Sequence, residues 1–321
     1  MNKQQLKNLL QKHNLKPNKT MGQNFLIDNN VLEEIIGTAD LNKNDIVLEI
    51  GPGLGILTKK LAEKSKKVIA IEKDKQITGV LKKELENYNN IEIIHGDILE
   101  ILKDGVLERW SGTALQSYIL AQQGCANKAA PSPDFSKTQS LNSYKIVANI
   151  PYYLTSHLIR MLLELENQPE EITLLIQKEV AQRICISSPK MNLLAISVQF
   201  YGKPKIISYI PKENFWPEPK VDSAIIKITD IRKPENINIK KFFKLVKAGF
   251  SSPRKQLINN LSQNLSVNKE EIKKALTECN LNIQARAENL SIKDWICLTS
   301  PDGHDPNRSD HLRTHKNGFG G

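Results

Sequence analysis

Apolar positions along this chain fall into two kinds of run. Short, nearly unbroken stretches occur at Asp45 to Ile50, Val68 to Ile71, Ile91 to Ile94, Ile146 to Ala148 and Ile172 to Ile176, with the length and β-branched content of buried strands. Before, between and after them, at about Asn30 to Ile36, Leu57 to Lys64, Ser156 to Leu165 and Lys178 to Cys185, apolar residues recur at helical spacing. Alternation of this kind predicts an open α/β fold with a largely parallel sheet. Leu193 to Phe200, Ile206 to Ile210 and Ser223 to Ile228 read as the last strands, the final two as an antiparallel pair at one edge. Strand signals vanish from about Asn238, and helical patterning continues to Leu298. The expected division is a sheet domain over residues 1–237, a smaller all-helical domain over 238–299 and a polar tail over 300–321.

One connection breaks the rhythm. Links between helix and strand in such folds are short, yet residues 102–143 form a long segment rich in Ala, Ser, Gln and Pro, with Gly105, Gly112, Gly124 and Pro131-Ser132-Pro133. It reads as a disordered insertion with room for one short helix around Thr113 to Gln122. The tail carries His304, His311 and His315 among Asp, Arg and Gly, and disorder is expected there in preference to a metal site, because no rigid scaffold would hold the imidazoles.

Candidate chemistry collects where strands end. Gly51-Pro52-Gly53-Leu54-Gly55 follows the first strand and opens a helix, an arrangement that lets a nucleotide approach the backbone closely. Its third glycine comes one residue too early for the dinucleotide pattern Gly-x-Gly-x-x-Gly, and the acid Glu49 before the loop is foreign to that pattern as well. The second strand ends in Glu72, 21 residues after Gly51, placed to accept both ribose hydroxyls, and the third is followed by Asp97. Acids at successive strand ends suit an adenosine that offers donors from its ribose and exocyclic amine, and they disfavour a pyrophosphate or a 2′-phosphate. S-adenosylmethionine meets these conditions best, on a Rossmann-like sheet; a non-binding α/β protein with a glycine turn is the plain alternative. The fourth strand runs into Asn149-Ile150-Pro151-Tyr152-Tyr153, a polar amide, a proline turn and two aromatics at the carboxyl edge where open sheets place their ligands. An ordinary strand exit would look the same in isolation.

Charge adds a partner to this picture. The formal net charge of +10 points to a polyanion, nucleic acid or an anionic membrane surface. Five lysines (Lys3, Lys7, Lys12, Lys16, Lys19) and no acid lie before Ile27, so this arm would be drawn to phosphate, although its first dozen residues also read as a frayed terminus. In Gly22-Gln23-Asn24-Phe25-Leu26, by contrast, large apolar residues suggest backbone folded against something. The helical region opens with Lys240, Lys241, Lys244, Lys247, Arg254 and Lys255 without an intervening acid, beside an apolar stripe of Phe243, Val246 and Phe250. An RNA-backbone contact surface is the favoured reading. No apolar run approaches the roughly 20 residues of a membrane span, and no signal peptide is visible, so a cytoplasmic protein is expected. The four cysteines, 125, 185, 279 and 297, form no Cys-x-x-Cys pair, so reduced thiols are expected and neither a zinc site nor a disulfide framework.

Taken together, Gly22 to Leu26, Glu49 to Gly55, Asn149 to Tyr152, the run Phe215-Trp216-Pro217-Glu218-Pro219-Lys220-Val221-Asp222-Ser223, Arg254-Lys255 and Arg286 to Ser291 resemble the small-subunit ribosomal RNA adenine dimethyltransferase family. The resemblance spans roughly Asn14 to Leu298 apart from the insertion. It implies an enzyme that uses S-adenosylmethionine to place two methyl groups on the exocyclic amine of each of two adjacent adenines near the 3′ end of 16S rRNA. It implies cofactor contacts at Asn24, Leu26, Gly51, Glu72, Asp97 and Asn149. Asn149 would also clamp the amine, with Tyr152 stacking on one face of the base and Phe215 closing the other, unless Phe215 is a core residue. A monomer without metal is expected. Two relatives of this family stay open as alternatives: the large-subunit rRNA adenine methyltransferases of antibiotic resistance, and homologues that bind nucleic acid without catalysis.

Overall fold

The computed structural model describes residues 2–18, 22–105 and 143–299. The helix expected at Thr113 to Gln122, the three tail histidines and Cys125 lie outside the described residues.

Two compact units make up the chain, Met1–Cys185 with Tyr201–Arg232, and Ile186–Phe200 with Lys233–Gly321. The first is built on a seven-stranded sheet. In chain order its strands are β2 (Ile46–Ile50), β3 (Lys67–Glu72), β4 (Ile91–His95), β5 (Lys145–Asn149), β6 (Glu171–Gln177), β7 (Lys203–Ile210) and β9 (Ser223–Thr229), arranged β4-β3-β2-β5-β6-β9-β7. Strands β2 to β6 are parallel, while β9 runs antiparallel between β6 and the edge strand β7. The antiparallel edge pair is therefore as expected. β5 lies on the opposite flank of β2 from β3, so the strand order reverses between them, and the cleft of an open sheet falls at such a switch.

The central strands are buried almost throughout, as the unbroken apolar runs require: Val47, Val68, Ile146 and Ile172 are each 0% exposed. Helices α2 (Asn29–Ala39) and α3 (Ile56–Lys64) supply Leu32, Ile35, Ile36, Leu57 and Leu61 to one core cluster. A second cluster joins Ile77, Val80 and Leu81 of α4 (Lys75–Glu84) to Leu6 and Leu10 of α1 (Lys3–Lys12). The amino terminus is thus a docked helix. Asn2 and Gln5 cap it reciprocally, each side chain accepting the other's backbone N–H at 2.9 Å, and Lys12 and His13 meet Glu84 at 2.9 and 3.1 Å. Helices α5 (Ile98–Lys103), α6 (Thr155–Glu164) and α7 (Lys178–Cys185) complete the alternation, and α5 runs through the expected start of the insertion at 102.

The second unit corrects two expectations. Leu193–Gln199 is a helix, α8, and not a strand. Asn192 caps it by accepting the Ala195 N–H at 2.9 Å, and a run buried on several faces carries no period by which strand and helix can be told apart. The segment around it, residues 186–200, belongs to the helical unit, where Phe200 stacks on Phe242 at 4.0 Å between ring centroids. The unit's other helices are α9 (Ile239–Gly249), α10 (Leu257–Leu265), α11 (Lys269–Glu278) and α12 (Ile292–Thr299). Gly249 is the point of close approach between α9 and α12: a Cβ there would sit 2.4 Å from the Trp295 ring. Cys279, just after α11, and Cys297 on α12 form a disulfide across 18 residues, with Cα atoms 5.9 Å apart. Reduced thiols were expected at both; the packing of two helices, which no local spacing records, brings them together. Among the described residues Cys185 is the free thiol.

Candidate active site

At the carboxyl edge of β2 the chain turns through Gly51, Gly53 and Gly55, all with positive φ. Gly55 caps α3 with φ +79°, where any other residue would be strained, and a Cβ there would stand 2.8 Å from the tip of the Leu81 side chain. The loop backbone is tied to β3: Glu72 accepts the Gly53 N–H at 3.2 Å on one carboxylate oxygen and the Asp74 N–H at 2.8 Å on the other. Burial raises the Glu72 pKa above the ordinary carboxylate value, and those N–H bonds oppose the rise. Asp97 caps α5 through the Leu99 N–H at 2.9 Å and pairs with Lys73 at 2.7 Å.

Glu49, the acid foreign to a dinucleotide loop, lines the same cleft. It is 1% exposed, its Oε2 has no hydrogen-bond partner, and burial pushes its pKa up to about 8, opposed by the Thr58 hydroxyl and reinforced by Glu72. A buried carboxyl with an orphaned oxygen is a place for a cationic or donor group.

Across the switch point, Asn149 ends β5. Its Nδ2 donates to the Asn24 carbonyl at 3.3 Å, and Asn24 is itself held by its Nδ2 on the Gly22 carbonyl at 3.2 Å. One N–H of the Asn149 amide thus engages the arm, and Oδ1 remains as the acceptor of a side chain that lines the cavity. In the turn that follows, the Pro151 carbonyl accepts the Leu154 N–H at 3.0 Å, and the Tyr152 carbonyl accepts Thr155 N–H at 3.4 Å. The two motifs abut, since a Cβ on Gly51 would be 3.6 Å from Pro151. The Tyr152 hydroxyl lies 2.7 Å from that of Ser223, and burial, reinforced by Asp222 and opposed by the Ser223 bond, raises its pKa, so the phenol stays protonated.

One cavity takes in Asn24, Leu26, Gly51 and Glu72, with Asp97, Asn149 and Tyr152 on the same wall line. Phe215 is the exception among the expected site residues. It is 2% exposed, pairs as Leu26↔Phe215 in the two-stranded sheet of β1 (Phe25–Leu26) and β8 (Phe215–Trp216), and packs with Ile210 and Ile225. It is a core residue here and not the second face of a base sandwich.

The chain as a whole is similar to known proteins. A family model described as ribosomal RNA adenine dimethylase covers residues 14–300. The chain belongs to this family. A relative from Dehalococcoides mccartyi (strain BAV1), a ribosomal RNA small subunit methyltransferase A, is 37% identical over 298 residues, 92% of each chain. Among solved structures, a dimethyladenosine transferase from Plasmodium falciparum superposes with a TM-score of 0.64 at 28% identity, over 85% of this chain and 95% of that one. A 23S rRNA methyltransferase, ErmE, gives a TM-score of 0.62 at 23% identity over 86% and 98% of the two chains, a likeness of fold. Membership makes the chain an rRNA adenine dimethyltransferase of the S-adenosylmethionine-dependent class, on a Rossmann-like sheet with a helical C-terminal region, as the resemblance implied. The cavity suits that cofactor, offering a buried carboxyl with a free oxygen and a second carboxylate at the end of β3. Sequence reasoning gave no role to Glu49, Lys73 or Ser223; an acid inside an otherwise apolar strand was the one visible signal.

Proposed function

We propose that this enzyme transfers four methyl groups from S-adenosylmethionine to the N6 amines of two adjacent adenines in the 3′-terminal hairpin of 16S rRNA, during small-subunit biogenesis. The observation that supports the chemistry is the Asn149 amide, a cavity-lining group anchored by its nitrogen, which leaves its oxygen as the acceptor.

An adenine amine is a poor nucleophile because its lone pair is delocalised into the ring. When bound, S-adenosylmethionine supplies the electrophilic methyl. Asn149 Oδ1 accepts one N–H of the amine, and the Ile150 carbonyl accepts the other, since the Pro151 carbonyl closes its turn on Leu154. Held this way, the nitrogen is drawn towards a tetrahedral geometry with its lone pair turned into the cleft. Tyr152 stacks on the base and, as a protonated phenol, takes no proton. Transfer leaves a neutral thioether and a cationic methylated amine; once that amine has released one proton to water a single N–H remains, and either acceptor can hold it while the ring stays on Tyr152. Glu72 would hold the ribose, Asp97 and Lys73 would flank the adenine end, and Asn24, Leu26 and Gly51 would complete the cofactor wall.

The helical unit supplies a surface for RNA. Lys240, Lys241, Lys244 and Lys247 of α9, and Arg254 and Lys255 beyond its end, are all exposed, while Phe242, Phe243 and Val246 of α9 are buried, so α9 turns its cations outward. Among the described residues there is no group of three side chains able to hold a metal, and no helix is long and apolar enough to cross a membrane. A monomer acting in the cytoplasm on precursor subunits completes the proposal.

Incubation with labelled S-adenosylmethionine and immature small or large ribosomal subunits, followed by nucleoside mass spectrometry, tests it. Dimethyladenosine in small-subunit RNA is the expected product. Label confined to large-subunit RNA would establish the antibiotic-resistance reading instead, and no label in either would leave a binding protein.

A further inference from the structure

Ser223 has no part in the chemistry just described. It is the first residue of β9, fully buried, and its hydroxyl lies 2.7 Å from that of Tyr152. Its backbone is gripped from both sides, opposite Gln177 of β6 and Ile210 of β7. The preceding residue is tied down as well: the Asp222 carbonyl accepts the Lys178 N–H at 3.0 Å, and its carboxylate meets Lys178 Nζ and the Lys212 N–H, each at 3.3 Å. Ser223 is therefore a fixed point in an antiparallel ladder. Tyr152 sits in a turn outside the sheet, its carbonyl held by the Thr155 N–H at 3.4 Å and the Thr155 hydroxyl at 3.2 Å. The aromatic ring is thus pinned at its backbone end by the start of α6 and at its phenol end by β9.

We propose that Ser223 is a positioning residue for the target base: its hydrogen bond to Tyr152 sets the plane on which the adenine stacks, and so the line of the amine relative to Asn149 Oδ1. The proposal rests on Tyr152 being the stacking ring. It differs from a purely structural role, in which a buried serine and a tyrosine satisfy each other and matter only for folding. A tilted ring would leave cofactor binding intact and spoil the alignment of a bound base, which is a kcat effect.

The test uses the full chain, immature small subunits and four variants: Ser223→Ala, Tyr152→Phe, the two combined, and Tyr152→Leu. Dimethyladenosine formation is followed well below each variant's melting temperature. Ser223→Ala and Tyr152→Phe keep the ring and remove the same bond, so each should lower kcat by about three- to tenfold, the worth of one hydrogen bond, with KM for the subunits unchanged. The double variant should be no slower than the slower single. Parental kcat in Ser223→Ala, or losses that multiply in the double, would overturn the proposal. Should Ser223→Ala not fold, Tyr152→Phe tests the same bond. Tyr152→Leu separates the two readings: full turnover without the ring defeats the stacking role itself, whereas a dead Tyr152→Leu beside an unaffected Tyr152→Phe removes only Ser223.

Discussion

On the β2–β3–β4 side of the cleft, Glu49 and Glu72 are buried and Asp97 lines the cavity; on the β5 side the polar side chains that line it are the Asn149 amide and the phenols of Tyr152 and Tyr153, with no carboxylate among them, and the Asp222–Lys178 ion pair lies outside the lining. Each side suits a different guest. Ionising a buried carboxyl costs free energy until a cation or several donors arrive, so the acidic half suits a positively charged cofactor better than a neutral nucleoside. A neutral base would gain nothing from such charge, and an ionised acceptor beside its amine would hold the proton too firmly. Amide and carbonyl oxygens, fixed in direction, localise a lone pair without taking the proton. The backbone repeats the division: the acidic half is a glycine turn that lets a ligand touch main chain, the neutral half a proline turn that holds a ring still.

The sharpest way to break this comparison is at the neutral half. Asn149→Ala removes the oriented acceptor, and dimethyladenosine formation should fall by about 100- to 1,000-fold, the usual cost of one preorganised electrostatic group, while RNA binding measured by filter retention is unchanged. Activity within a few-fold of the parent would sink the clamp. The acidic half should respond in affinity. Glu72→Gln can accept only one of the two N–H groups now bound and turns an NH₂ towards the other, so the Kd for S-adenosylmethionine should rise by about 10- to 100-fold in calorimetric titration. An unchanged Kd would mean that the carboxylate serves the loop and not the ligand. Because the base side is neutral, salt sensitivity must come from elsewhere: Lys244→Ala and Lys247→Ala should flatten the slope of log affinity against log salt by about 0.7 to 0.9 per lysine, and a slope that stays put would remove α9 from the RNA surface.

How far the sequence disclosed this site follows from how local each feature is. Gly51 to Gly55, Glu72, Asp97 and Asn149 were legible because turn chemistry and strand ends are written in a few consecutive residues, and the fold then brings successive strand ends to one edge. Phe215 was not, because an aromatic in a proline-rich loop does not say which way it points; that is decided by pairing with Leu26, far away in the chain. Residues 186–200 were assigned to the sheet domain because a run buried on several faces has no period, and their partner Phe242 lies beyond three further strands. The disulfide and the Ser223–Tyr152 bond share this character: both join residues whose proximity exists only after packing.

The smallest expected effect tests the cost of the acidic half when no ligand is present. With its pKa raised to about 8 by burial, Glu49 is protonated in the folded protein at neutral pH, whereas in the unfolded chain it ionises near its ordinary value of 4.5. Below that value both states hold the proton and the group is neutral to stability. Between 4.5 and about 8 the unfolded state alone releases it, so the contribution of Glu49 opposes folding increasingly as pH rises and levels off above 8. Glu49→Gln cannot titrate. Without cofactor, its melting temperature should exceed the parent's by a few degrees at pH 8, by less at pH 6, and by nothing at pH 4; in saturating S-adenosylmethionine the order should narrow or reverse, because the parent carboxyl then has a partner. A difference that does not vary with pH would show that Glu49 is ionised in the empty cleft, and the contrast between a charged and a neutral half would then hold before any ligand binds.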